Sequence, residues 1–96
     1  MLYIEPGNKA ELLEILAPVK QYDIQAYGSR VKGTHRKFSD LDLCFMREMP
    51  WETLDDIREK LTESNLPFFV SIVPWSKLNE DFKKLIQKDL LPLDQW

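Results

Sequence analysis

"AYGSRVKGTHRKFSDLDLCF", Ala26 to Phe45, sets a glycine-serine pair, then a basic run, then two aspartates separated by one leucine. Four cationic side chains, Arg30, Lys32, Arg36 and Lys37, stand directly upstream of Asp40 and Asp42 in a chain whose net charge is −3. A local basic run inside a mildly acidic chain points to a focused anion contact rather than to bulk nucleic-acid binding, which needs a strongly basic domain.

The apolar run Leu41 to Met46 reads as a strand. Side-chain alternation puts Asp40, Asp42 and Cys44 on one face and Leu41, Leu43 and Phe45 on the other. The two carboxylates then lie about 7 Å apart along the strand. Like charges that close repel unless a cation sits between them. Mg²⁺ (or Mn²⁺) suits the pair, because it takes one or two carboxylates and completes its shell with water and phosphate oxygens. Asp23 to Tyr27 reads as an earlier strand ending at Gly28, where a missing Cβ lets backbone approach a ligand. A helical turn from Ser29 to Lys32 would point its free N–H groups at phosphate oxygens, with Arg30 and Lys32 adding charge and Gly33 ending the turn.

Working outward, "PGNKAELLEILAPVKQY" predicts a helix with Asn8 as N-cap and Glu11 completing a capping box. Leu12, Ile15, Leu16 and Val19 line its apolar face. "PWETLDDIREKLTESN" predicts a second helix with Pro50 in its first position and Leu54, Ile57 and Leu61 facing inward. Phe68 to Val73 is short and β-rich, a third strand. A last helix starts near Asn79, with Phe82, Leu85 and Ile86 inward. The fold class is α/β, a small sheet backed by helices in the order α-β-β-α-β-α. Its 96 residues are expected to form one domain, 1–96.

No apolar run approaches the roughly 18 residues of a membrane span, and no signal-peptide pattern begins the chain. The single cysteine, Cys44, reads as a buried small hydrophobe, and a reducing cytoplasm is the expected compartment. His35 reads as an exposed loop residue, Trp51 and Trp75 as packing anchors. The apolar tail of Leu90, Leu91, Leu93 and Trp96 reads either as a cap on the core or as a partner surface.

Gly28-Ser29, ten residues, then Asp40-x-Asp42 resembles the signature of the nucleotidyltransferase superfamily with a DNA-polymerase-β-like fold. The fuller stretch "GSRVKGTHRKFSDLDL" most resembles the minimal nucleotidyltransferases. The resemblance implies a small mixed sheet and a divalent metal pair held by Asp40 and Asp42. It also implies phosphate contacts at Gly28, Ser29 and Arg30, and attack of an acceptor hydroxyl on the α-phosphorus of an NTP, most plausibly ATP. Stand-alone members resemble the antitoxin half of a pair whose partner is a helical HEPN-type toxin. Such a protein adenylylates a tyrosine of the partner, or binds and blocks it. One position departs from the pattern. Where the family has a segment similar to "VDVVDW", this chain has "VSIVPW", so Ser71 stands at the expected third carboxylate. A neutral hydroxyl is a poor Mg²⁺ ligand and a poor base, which leaves a catalytically weakened, nucleotide- and partner-binding protein as the alternative. Direct nucleic-acid binding is the weakest reading, for want of an aromatic platform near the basic loop.

Overall fold

The computed structural model describes all residues from Met1 to Trp96. Pro6 opens α1 (Pro6–Leu16) because its fixed φ is already helical, while the residue before it, Glu5, is held extended at φ −62°, ψ 146°. The helix therefore begins ahead of the expected cap at Asn8. Lys9 N–H closes the first turn on the Glu5 carbonyl at 2.9 Å. Glu11, freed from a capping box, instead accepts the Asn65 N–H at 2.8 Å and ties α1 to the far end of the next long helix. A 3₁₀ turn (Ala17–Tyr22) then leads into β1 (Ile24–Tyr27).

The single turn α2 (Ser29–Lys32) is followed by a loop, then β2 (Leu41–Phe45). Helix α3 (Trp51–Glu63) crosses over to β3 (Val70–Pro74). Pro50 is the residue before α3 rather than its first member, with an extended φ/ψ of −56°, 142°. Strand β3 starts two residues later than expected. Helix α4 (Glu80–Ile86) begins as anticipated at Asn79, whose side-chain oxygen accepts the Asp81 N–H at 2.8 Å.

A two-residue strand, β4 (Leu91–Pro92), completes a sheet of order β3-β2-β1-β4. Strands β1 and β2 run antiparallel, as do β1 and β4, whereas β2 and β3 are parallel and joined through α3. That right-length helical crossover is what a parallel pair requires. The sheet is thus mixed.

Alternation sorts the strands into two faces. Ile24, Ala26, Leu41, Leu43, Phe45, Val70 and Ile72 face α1 and α3 and join Leu12, Leu16, Val19, Ile57 and Leu61 in the main core. The opposite face carries Tyr27 and Cys44, covered by Ile86 of α4 with Met46, Val73, Trp75, Leu78 and Leu90 around them. Cys44 is fully buried, and burial, with Asp23 adding to it, pushes its thiol up to about 12.

Several expected inward residues face water. Phe82 is 39% exposed and Leu85 69%, because a helix of under two turns buries a single stripe, led by Ile86, against Tyr27 and Cys44. Trp51, in the first turn of α3, is 73% exposed and is no packing anchor. No helix is long and apolar enough to cross a membrane.

The C-terminal segment caps the core. Leu91, Leu93 and Trp96 pack against it, the Trp96 indole N–H donates to the Leu91 carbonyl at 2.9 Å, and Lys9 Nζ donates to the Trp96 carbonyl at 3.0 Å. Removing residues 91–96 takes away the β4 ladder and three half-buried apolar side chains. The expected loss is on the order of 3 kcal/mol, a fall in Tm of roughly 12–24 °C by calorimetry. An unchanged Tm would show that the tail is an independent appendage.

Candidate active site

The site is built where β1 ends. Gly28 takes φ +88°, ψ −159°, a conformation that side-chain-bearing residues rarely adopt. It also has no room for a Cβ: one placed there would stand 2.7 Å from Asp42 Oδ2. The bare Cα of Gly28 and the carboxylate of Asp42 are therefore packed face to face. Beyond Gly28 the chain turns into α2, closed by N–H groups of Val31 and Lys32 on the Gly28 carbonyl (3.1 and 3.2 Å) and of Gly33 and Thr34 on Ser29 (2.9 and 3.1 Å). The expected helical turn over Ser29 to Lys32 is present, with Gly33 at φ +81° ending it. The N–H groups at its start have no partner within the turn, since a helix leaves its first donors open.

The sheet register lays the remaining groups beside one another. Tyr27 is paired with Asp42 across the antiparallel ladder, and Asp42 with Ser71 across the parallel one. Tyr27, Asp42 and Ser71 form a row over three strands, with Gly28 at one end and Asp40 just outside β2. Asp42 is half-buried and Asp40 exposed. The Asp42 carboxyl is pushed above the ordinary carboxylate value, first by burial and then by the charge of Asp40. The ion pairs of the molecule are Lys32–Asp89, Lys60–Asp56 and Lys83–Glu80, so neither site aspartate has a cationic partner. Two carboxylates without a counter-charge, one partly desolvated, form an arrangement that an added cation stabilises.

The donor set fits one divalent ion between Asp40 and Asp42 with open positions for other oxygens. It stops at two: no group of three His, Cys, Asp or Glu side chains is close enough to form a larger cluster. Tyr27 does not extend it, because burial, and after it the charges of Asp42 and Cys44, push its phenol up to about 12 and keep it protonated.

The basic run is distributed otherwise than the sequence suggested. Arg30 is 4% exposed. Its Nε donates to the Ser39 carbonyl at 2.9 Å, and its terminal nitrogens donate to Tyr3 and Lys37 carbonyls at 3.1 Å each, with the guanidinium 4.2 Å from the Phe68 ring centroid. The expected phosphate contact by Arg30 is therefore corrected: the side chain points inward and fixes the loop that delivers Asp40. Lys32 pairs with Asp89 at 3.4 Å, and Arg36 and Lys37 are exposed on the loop.

His35 is half-buried rather than exposed. Its ring lies 5.9 Å from that of Tyr3, and its Nδ1 is buried without a hydrogen-bond partner. A cavity of about 680 Å³ sits behind this loop, lined in part by Arg30, His35 and Lys37, but neither aspartate borders it. Asp42 lies against Gly28, outside this cavity.

One residue that strand alternation already sets on the face of Ser71 carried no functional reading. Phe69, 63% exposed, precedes Ser71 by two positions and lies on the same face, since its neighbours Phe68 and Val70 are buried in the core. An apolar residue alternating with the position of a polar site residue was the available signal.

The strain between Asp40 and Asp42 is testable without any ligand. A carboxyl whose folded pKa is raised adds stability that is present below its unfolded value and is lost as pH rises through the folded one. Metal-free Asp42→Asn is expected to melt above wild type at neutral pH, with the difference closing as pH falls through the carboxylate range. A variant that melts below wild type at pH 7 would mean that Asp42 is already neutralised within the protein.

Comparison with known proteins accords with this geometry. The family model of the nucleotidyltransferase domain matches residues 9–93. The probable protein adenylyltransferase MntA of Haemophilus influenzae is 40% identical over 87 aligned residues, covering 83% of this chain and 76% of that protein. The match spans both β1–α2–β2, with its glycine-serine turn and Asp pair, and the β3 and β4 strands that complete the sheet. The chain belongs to the nucleotidyltransferase family, and its chemistry is nucleotidyl transfer.

Proposed function

We propose that the protein transfers AMP from ATP to a hydroxyl of a partner protein, most plausibly a tyrosine of a HEPN-type toxin that it neutralises as an antitoxin. The observation that carries the reading is the Asp40–Asp42 pair without a counter-charge, with Asp42 packed against the bare Cα of Gly28. A protein acceptor is supported by the similarity to the Haemophilus relative, a probable protein adenylyltransferase.

Asp40 and Asp42 would hold Mg²⁺ or Mn²⁺, which when bound neutralises charge on the phosphates and aligns them. The chain's own groups set the rest. Gly28 lets the Asp42 carboxylate close on the backbone at the turn where the phosphates would lie, and the start of α2 leaves its first N–H groups open to them. The acceptor oxygen bonds to the α-phosphorus, the bond from that phosphorus to the bridging oxygen breaks, and pyrophosphate leaves with the electron pair. The acceptor proton must then go to solvent or to a weak base.

Ser71, in register with Asp42, is the only polar side chain of β3. A hydroxyl does not take that proton at neutral pH. A phenol, with an ordinary pKa of about 10, surrenders its proton far more readily than an alkyl hydroxyl does. A tyrosine acceptor therefore suits a site with no third carboxylate.

The same Ser71 favours a second reading, in which the fold binds nucleotide and partner but transfers slowly. Both readings keep nucleotide binding, and two measurements separate them. With labelled ATP, Mg²⁺ and a HEPN-type toxin as partner, wild type is expected to label the partner. Asp40→Asn/Asp42→Asn is expected to lose both labelling and Mg²⁺-dependent ATP binding by calorimetry. Ser71→Asp is expected to raise the rate, since base assistance is typically worth about 10²–10⁴-fold. Undiminished Mg-ATP binding by the double variant would place the nucleotide elsewhere. A wild-type rate at or above that of Ser71→Asp would mean that another group already takes the proton.

A further inference from the structure

The Phe69 ring is 63% exposed and takes part in none of the aromatic or cation–π pairs. The other exposed phenylalanines differ. Phe82 rests edge-on against Tyr27 with centroids 5.9 Å apart, and Phe38 carries Lys37 at 5.4 Å over its face.

The position of Phe69 is fixed by the sheet. The Leu41 N–H donates to the Phe69 carbonyl at 2.9 Å, a bond of the first rung of the parallel ladder, which pairs Leu41 with Val70 and holds the Phe69 backbone one residue before it. Phe69 therefore stands alongside Asp40, and Ser71 alongside Asp42. The site face reads, from one strand to the next, Gly28-Ser29 at the end of β1, the carboxylates on β2, then Phe69 and Ser71 on β3.

That order assigns the sides of the reaction. In phosphoryl and nucleotidyl transfer the attacking and leaving oxygens lie roughly in line through the phosphorus. With the leaving pyrophosphate toward Gly28-Ser29 and the α-phosphorus over the carboxylates, the attacking hydroxyl enters over β3. The strand on this side, Val70 to Pro74, contains no charged residue, and the cation bound to its edge, Arg58, donates to the Ile72 carbonyl at 2.8 and 3.3 Å. It offers one uncovered phenyl ring and one hydroxyl.

We propose that Phe69 is the acceptor platform, the ring on which the acceptor side chain stacks as its hydroxyl is presented to the α-phosphorus. The inference rests on the transfer reading given above and adds a residue to it. An aromatic acceptor gains from the ring by offset or edge-on stacking, whereas a sugar hydroxyl finds no hydrogen-bonding group in it. Phe69 is then a specificity-determining residue, and the nucleotide does not touch it.

The test uses the full chain loaded with Mg²⁺ and a non-hydrolysable ATP analogue, with N-acetyltyrosinamide as the acceptor probe and N-acetylserinamide as its aliphatic control. Backbone amide NMR shifts are followed in wild type, Phe69→Ala and Phe69→Trp. The aromatic probe is expected to shift the amides of Phe69 to Ser71 in wild type and Phe69→Trp. Its affinity should fall roughly 3- to 10-fold in Phe69→Ala, the range that one stacked pair provides. Affinity for the ATP analogue should be the same in all three, and the serine probe should leave residues 69–71 unshifted.

Absence of shifts at 69–71, or equal probe affinity in Phe69→Ala, overturns the proposal. So does a matching loss of analogue affinity in Phe69→Ala, which would put the ring beneath the nucleobase. Failure of wild type to bind the analogue would count against the transfer reading instead. The same titration without nucleotide then decides whether Phe69 receives the aromatic probe.

Discussion

The carboxylate of Asp42 is held against the backbone of Gly28, and the rest of the site follows from that contact. Because a Cβ at residue 28 would lie 2.7 Å from Asp42 Oδ2, the strand-to-helix turn can be made only by glycine. The same contact removes water from one side of the carboxylate while Asp40 adds a like charge from outside the strand. The metal-free protein thus holds two anionic groups with no ion-pair partner on the one open face of its sheet. Proteins keep such an arrangement where a ligand relieves it, because the electrostatic cost in the empty state is recovered as binding free energy.

Arg30 supplies the rigidity that this arrangement needs. The loop between α2 and β2 has no regular structure, yet it must place Asp40 beside Asp42. Three Arg30 N–H groups donate to carbonyls of Tyr3, Lys37 and Ser39, and the cation lies over Phe68. One buried guanidinium thereby joins the N-terminal segment, the loop and the start of β3. Lysine, a point charge on a flexible stem, could not satisfy three separated carbonyls with one fork. The basic run is therefore two things: a buried structural arginine and a set of loop cations, Lys32, Arg36 and Lys37, of which Lys32 is tied to Asp89.

What could be read from the sequence was whatever depends on local pattern. Alternation in "DLDLCF" fixed which side of β2 the aspartates occupy, and the short turn over Ser29 to Lys32 followed from the glycines that flank it. Ser71 was legible only through the family resemblance of its segment, and the parallel register of β2 and β3 does bring it level with Asp42. Features set by tertiary contact did not come through. Two-residue β4 has no periodicity to detect and exists because the β1 edge was open. The inward turn of Arg30 depends on carbonyls from residues 3, 37 and 39. A start at Pro6 displaced the Asn8 cap because backbone pre-organisation by proline outweighed a side-chain hydrogen bond. Exposure of Phe82, Leu85 and Trp51 reflects a sheet too narrow for every apolar residue of the flanking helices.

The central claim, that a divalent cation and nucleotide phosphates gather at the Asp40–Asp42 pair beside Gly28, has a direct spectroscopic test. Mn²⁺ added in trace amounts with ATP broadens backbone amide resonances according to their distance from the ion. The account predicts that the first signals to vanish are those of Gly28, Ser29, Leu41, Asp42 and Ser71, while the α3 amides persist. Broadening centred on another acidic cluster, such as Glu52, Asp55 and Asp56 at the start of α3, would contradict it. So would the same pattern in a protein carrying Asp40→Asn and Asp42→Asn.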